Sequence, residues 1–311
     1  MLATQGSPSV NALLDAHGAP SVPSFRFFPT AAPLCHFVDY LFASRIPSQF
    51  ASQIDAMRLP EVEAQLVFAI EEGNAFPGGM PLGNGLRAAL FLQPGHLEMF
   101  PIPGSIRAAV GAALGPAGLR LLLPSGTGML LDAPLIALED LWGAEARTLL
   151  ERLVLEETSS RRLALLELYL LERVRHVGTR SPTVRRAFQL IKLAHGEIST
   201  EQLAHACGCT SRTLRSLTVA EAGLTPKHVA RIIRIRHALE LLADAGVPLS
   251  TAAATSAFSD HAHMSREFRE LIGAPPSQLG QRLRSPSMPA FSAERNLMST
   301  GLLVIPKHRV S

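Results

Sequence analysis

The sequence predicts an α+β protein, with a small antiparallel β barrel or sandwich and accompanying helices followed by an all-α carboxyl-terminal domain. Between Phe25 and Leu123, short apolar runs alternate with glycine and proline clusters, the punctuation of antiparallel strands. After Pro124 the apolar spacing becomes helical. From Pro182 to Arg284 almost every residue falls into a helix with an identifiable cap, and the basic excess of the chain sits there.

A chain of 311 residues exceeds the size at which single hydrophobic cores keep growing, so two domains are expected. Hydrophobic side chains make up 47% and charged ones 18%, which excludes wholesale disorder and fibrous or collagen-like classes. The mean hydropathy of +0.20 raises the question of a membrane span, which needs about 18–20 consecutive apolar residues. The best stretch, 108–131, is interrupted by Arg120 and punctuated by Gly111, Gly115, Pro116 and Pro124, and reads as strand, turn and buried helix. The first twenty residues contain neither Lys nor Arg and no secretory apolar run, so neither a signal nor a transit peptide is indicated. Three cysteines, Cys35, Cys207 and Cys209, fall short of a disulfide framework. A cytoplasmic address with no membrane partner is the expectation.

The net charge of +3 is unevenly spread: residues 1–181 carry 13 basic and 17 acidic side chains, residues 182–284 carry 13 and 8, and residues 285–311 carry 3 and 1. A basic module on a near-neutral body suits polyanion binding, because counterion release from phosphates drives such association. A solvated basic surface would give the same count.

Taken in order, residues 1–23 are rich in Ser, Pro, Gly and Ala and form a flexible leader. Residues 24–140 form the β-rich domain, with strands expected at Phe25–Phe28, Gln65–Ile70, Arg87–Leu92, Leu97–Ile102 and Leu119–Leu123. Turns are marked by Pro77-Gly78-Gly79, Gly83-Asn84-Gly85 and Pro94-Gly95. Residues 141–180 form a helical extension and linker. One helix spans Ala144–Leu155 and buries Leu149, Leu150 and Leu153; a second starts after Ser159 or Ser160 and presents Leu163, Leu166, Leu170 and Val174. Leucines at this spacing fill an intramolecular core or a dimer seam, and the spacing alone leaves both open.

Residues 181–284 parse into capped helices. Ser181 serves as N-cap and Pro182 as first helical residue of a helix to about Ala194, with Val184, Ala187, Phe188 and Ile191 on one stripe. Ser199-Thr200-Glu201-Gln202 is a capping box opening a second helix that stops near Gly208. Thr210 caps a third helix ended by Gly223, and Thr225-Pro226 opens a long helix to about Ala243. That helix turns Ala230, Ile233, Ala238, Leu241 and Leu242 inward and leaves Lys227, Arg231, Arg234 and Arg236 solvated. The pattern then repeats: Ser250 caps a short alanine-rich helix, and after a turn at Phe258-Ser259, Asp260 caps another that Gly273 stops near Ile272. Helix, tight turn, helix is the arrangement whose second member enters the major groove. From Asp260 as cap, Met264, Phe268 and Leu271 are buried while His261, Ala262, Ser265, Arg266 and Arg269 share the opposite face. Ser211, Arg212, Thr213, Arg215 and Ser216 are the counterparts in the first unit. Arginine suits guanine edges and phosphate, each good bidentate base contact contributing about 1–3 kcal/mol of discrimination.

On these residues the segment 182–284 resembles the AraC-type (AraC/XylS) bacterial transcription regulators. The matching positions in the second unit are Phe258, Asp260, His263, Ser265, Arg266, Phe268, Gly273 and Pro276. In the first they are Leu203, Ala204, Gly208, Arg212, Leu214, Gly223, Thr225, Pro226 and Lys227. Thr218 stands where the family usually has an aromatic residue, Ser216 where it often has Arg, Ala257 where Gly is customary, Pro275 where Ser or Thr is, and Leu279 where an aromatic is. Upstream, Leu138–Arg147 and Arg162–Glu167 resemble the amino-terminal domain of one branch of these regulators, and Leu59-Pro60 ahead of Leu66-Val67-Phe68 is a fainter echo. There Glu61-Val62 replaces the common Asp-Gly. The resemblance implies a non-enzymatic, sequence-specific regulator without cofactors, with double-stranded DNA as partner. Lys227, Arg231 and Arg234 are candidate phosphate contacts, and RNA polymerase, a second copy of the chain and a small-molecule effector at the amino-terminal domain are candidate further partners. The alternative is a protein-interaction module with a degenerate first DNA-reading unit. Residues 285–311 are expected to be a flexible tail despite the apolar run Leu302–Ile305.

Other chemistry finds little support. Cys35-His36 has no partner at metal-ligand spacing, Cys207 and Cys209 lack a second pair, and His261 and His263, two apart on a helix, point away from each other. Trp142 reads as a core residue where the helices meet the β domain, and the glycines at 78, 79, 83 and 85 form no phosphate loop. With no convergent acid, base and nucleophile, a catalytic or metal site is not expected.

Overall fold

The computed structural model describes residues 24–45, 54–58, 62–70, 87–91, 98–101, 108–115, 118, 135–175, 182–244, 246–283 and 302–306. The leader, the expected strand at 119–123, and the glycine turns at 77–79, 83–85 and 94–95 lie outside them.

The amino-terminal half is built on strands β1 (Ser24–Phe28), β2 (Val38–Arg45), β3 (Ile54–Arg58), β4 (Ala64–Ala69), β5 (Arg87–Phe91), β6 (Glu98–Pro101), β7 (Ala108–Leu114) and β8 (Leu135–Ala137). Every pairing is antiparallel. One sheet runs β1-β2-β7-β4-β5-β8; a second has β3 at its centre, flanked by β6 and by β9 (Leu302–Pro306) from the far end of the chain. The segment expected to be a flexible tail thus supplies a strand, with Ile54 opposite Pro306 and Arg58 opposite Leu302. Run length explains this: Leu302-Leu303-Val304-Ile305 is short, aliphatic and partly β-branched, and β3 offers it a free ladder edge.

Strand β7 (AAVGAAL) is central, between β2 and β4, and is buried along almost its whole length. Small side chains are required there: a Cβ at Gly111 would stand 2.3 Å from the Leu66 carbonyl oxygen and 2.3 Å from Phe42 Cζ. Helices α1 (Leu138–Trp142), α2 (Ala144–Leu155) and α3 (Ser159–Val174) complete this half. Thr158, one residue before the expected start, caps α3 by accepting from the Arg161 amide. The leucine stripe is intramolecular: Leu163, Leu166 and Leu170 join Leu149, Leu150, Leu153, Leu66 and Val110 in one core. Trp142 is buried in that core with Tyr169 5.4 Å away and the Arg173 guanidinium 4.1 Å from its ring centre, a cation–π arrangement.

The carboxyl-terminal half is all helix: α4 (Thr183–Leu193), α5 (Thr200–Ala206), α6 (Ser211–Ala222), α7 (Pro226–Ala243), α8 (Leu249–Thr255), α9 (His261–Ile272) and α10 (Pro276–Leu283). The capping box at Ser199 and Gln202 is formed in both directions, and Thr210, Thr225 and Asp260 each accept an amide as expected. Two boundaries differ. Pro182 precedes α4 rather than opening it, and Pro248, without a side-chain cap, precedes α8, leaving Ser250 inside the first turn. Val229, Ala230, Ile232 and Ile233 of α7 pack with α4, α5 and α6; Ile235, Ala238 and Leu239 pack with α8, α9 and α10. One helix therefore holds both units.

Ala257, where the resemblance leads one to expect glycine, has φ +55°. An L side chain there costs roughly 1–2 kcal/mol relative to right-handed backbone. Ala257→Gly is expected to raise the stability of the carboxyl-terminal half by up to about 1 kcal/mol, offset by the added freedom of glycine when unfolded. Urea unfolding of the two proteins compares them.

Candidate nucleic-acid interface

Each putting-forward of side chains begins with a cap. The Thr213 amide donates to Thr210 Oγ1 at 3.1 Å, which starts α6 so that Leu214, Thr218 and Ala222 fall on the buried side. Arg212, Thr213, Arg215 and Ser216 are then exposed and Ser211 is half-buried. The Thr213 hydroxyl also shares a 2.9 Å hydrogen bond with that of Thr210. Thr218, at the usual aromatic position, is buried, and its hydroxyl donates to the Arg215 carbonyl at 3.1 Å. Leu217 packs against the first-unit core, whereas Val219, 41% exposed, does not fill the space.

In α9 the His263 amide donates to Asp260 Oδ1 at 2.6 Å. That amide, against some desolvation, and then the Ala262 amide and Arg266 hold the Asp260 carboxyl below its ordinary range. The cap turns Met264, Phe268, Leu271 and Ile272 inward and leaves His261, Ala262, Arg266 and Arg269 exposed. Ser265 is half-buried, its hydroxyl donating to the His261 carbonyl at 2.8 Å. Each face therefore keeps its arginines exposed, while Ser211 and Ser265 are half-buried.

The expected phosphate contacts divide differently. Lys227 is exposed. Arg231 is not solvated: its Nε lies 2.6 Å from Glu267 Oε2 and its Nη2 2.7 Å from Glu270 Oε1, with the side chain only 16% exposed. It clamps α9 onto α7. Arg234 is half-buried with its guanidinium 5.5 Å from the Phe258 ring centre, and Arg236 is largely buried near Glu63. Helical spacing placed these arginines off the main apolar stripe, but it carries no signal for partners distant in sequence, such as Glu267 and Glu270 thirty-six and thirty-nine residues beyond Arg231. Glu267 and Glu270, which hold α9 to α7, were missed for that reason.

The remaining candidates are structural in their contacts. Cys35 Sγ donates to the Ala32 carbonyl at 2.9 Å, and Cys207 and Cys209 pack against the first-unit core. Among the described residues no group of three or more His, Cys, Asp or Glu could hold a metal ion, and no helix is long and apolar enough to cross a membrane.

Two capped helix-turn-helix units on a shared helix, each presenting an arginine-bearing face, define a DNA-binding protein of the double helix-turn-helix class. Residues 203–282 match the family model described as Helix-turn-helix domain. A probable AraC family transcriptional regulator from Rhodopseudomonas palustris is 30% identical, with the alignment covering 34% of this chain and 100% of that one, at a TM-score of 0.31. The chain belongs to the AraC family of transcriptional regulators. The carboxyl-terminal domain of AraT, a response regulator from Geobacillus stearothermophilus, is 25% identical over 33% of this chain and 88% of that one, at a TM-score of 0.32. ToxT from Vibrio cholerae is 10% identical over 83% of this chain and 98% of that one, at a TM-score of 0.38. Membership rests on the 30% identity to the Rhodopseudomonas palustris regulator, covered along its whole length, and on the matched region 203–282. No curated protein matches significantly.

Proposed function

We propose that the chain regulates transcription by inserting α6 and α9 into neighbouring turns of the major groove, with Arg212 and Arg215 reading bases from the first and Arg266 and Arg269 from the second. Ser211, Thr213, Ser216, His261, Ala262 and Ser265 line the same faces, and Lys227 contacts phosphate. The observation that carries this reading is the packing of both units on one 18-residue helix, each with its arginine face in solvent. At 1.5 Å per residue that helix is about 27 Å long, close to the roughly 34 Å turn that separates successive grooves on one side of DNA. The buried, hydrogen-bonded Thr218 leaves the face of α6 exposed, which favours a working first reader over a purely protein-binding module. The amino-terminal β domain is the candidate seat of an effector or of self-association.

Selection of bound duplexes from a random pool supplies the target for the test. Arg266→Ala is expected to cost about 1–3 kcal/mol on that target and to relax the preference at one position. Lys227→Ala should weaken all sequences alike and lower the salt slope by about one. Wild-type affinity should fall about 10³–10⁵-fold from 50 to 200 mM salt if 6–10 phosphates are contacted. Unchanged sequence preference in both Arg212→Ala and Arg266→Ala would overturn the assignment.

A further inference from the structure

The turn leading into β4 reaches out of the β domain. Val62 is 6% exposed, yet its apolar neighbours belong to the first helix-turn-helix unit, in a cluster with Val184, Phe188 and Ile191 of α4, Leu214 of α6 and Ile233 of α7. The next residue, Glu63, is also buried and pairs through Oε1 with Lys192 Nζ of α4; its Oε2 lies 3.9 Å from Arg236 Nη1 of α7. Lys192 Nζ also donates to Asp39 Oδ2 of β2 at 3.1 Å. A third contact joins Arg185 Nη1 of α4 to His36 Nδ1 at 2.8 Å. Burial works against the Lys192 ammonium, but Glu63 and Asp39 outweigh it and hold its pKa above the ordinary lysine range. These contacts fall on α4, on Leu214 of α6 and on the middle of α7 at Ile233 and Arg236, and none of them falls on the exposed faces of α6 or α9.

We propose that Val62 and Glu63 form an intramolecular plug that fixes the first helix-turn-helix unit, and not the second, to the β domain, and so relays changes in the β domain to α6. Val62 stands at one of the two positions where the related regulators commonly carry Asp-Gly. A glycine there would have no side chain to enter the core of the first unit, so the plug is a property of this sequence. Val62, Glu63 and Lys192 are positioning residues: they touch no base, but set where the first reader stands relative to the β domain. Among the described residues, the second unit is joined to these contacts through α7 and the Arg231 clamp. Glu63 and Lys192 act as one device: removing Lys192 takes the nearest cation from the buried Glu63 carboxylate and leaves it to Arg236 at 3.9 Å, and removing Glu63 leaves the half-buried Lys192 to Asp39.

The single tryptophan, Trp142, lies in the β-domain core, so its fluorescence follows that half, while the far-ultraviolet helical signal is dominated by the other. In the full chain, Lys192→Met, a change on α4, should lower the midpoint of the Trp142 transition. Glu63→Gln should lower the helical one, and the double variant should fall no further than the worse single variant. A random-sequence duplex added at low salt should raise both midpoints in the wild type but only the helical one in the double variant. A Trp142 transition indifferent to Lys192→Met, or strictly additive shifts, would overturn the plug. Should the duplex raise neither midpoint in the wild type while the variants still couple, DNA binding is what fails and the plug stands. Val62→Ala, which keeps both charges, should weaken the coupling partly.

Discussion

Phe268→Ala is expected to remove about 3–5 kcal/mol from the carboxyl-terminal half and to abolish DNA reading by α9. Phe268 is fully buried, in one cluster with Ile235 and Leu239 of α7, Phe258, Met264 and Leu271, and Leu279 of α10. Among the described residues these elements share no other core, so a cavity here loosens the seat of α9 on α7 as well as α9 itself. Against a total stability of about 5–15 kcal/mol for a typical domain, the loss is large. Urea unfolding followed by circular dichroism measures it. A loss below about 1 kcal/mol would mean that Met264 and its neighbours collapse into the space. The partly buried Leu217, truncated to alanine, should cost much less, since it only borders the first-unit core.

The second large effect concerns the β domain. Gly111→Val should destabilise it at or beyond the upper end of the roughly 1–3 kcal/mol typical of overpacked cores. The Cβ alone would stand 2.3 Å from the Leu66 backbone oxygen, an atom held in the β4–β7 ladder, and at the same distance from Phe42 of β2. The Phe42 ring could turn aside, but the carbonyl can retreat only by parting the two strands. The Trp142 transition should register the damage most strongly. An unaltered midpoint would show that β7 can shift relative to β4 without cost.

How much of this was legible in the sequence follows from the range of the forces involved. Caps were legible because their hydrogen bonds close over three residues: Ser199 with Gln202, Thr210 with Thr213, Asp260 with His263. The exposed faces of α6 and α9 followed from those caps by helical geometry. Strand β7 was legible only as the opening strand of the stretch 108–131, without bounds of its own, because a strand buried between two others carries no polar–apolar alternation. Strands β2, β3 and β8 were missed, β2 because its apolar residues cluster at Leu41–Ala43 instead of alternating. Arg231, Arg234 and Arg236 looked solvated because their burial is imposed by residues distant in sequence, Glu267 and Glu270 for the first, Phe258 for the second, Glu63 for the third. The same holds for Val62, whose short β-domain turn gives no hint that it ends in a helical core.

Because β9 is laddered to β3, the helical domain is in effect an insertion in the β domain, which owns chain on both sides of it. Cutting the backbone between residues 175 and 182 therefore does not yield two independent pieces. The fragments still share a sheet and should co-purify as a nicked complex, whereas ending the chain at Leu283 would give up a strand that belongs to the opposite half of the molecule.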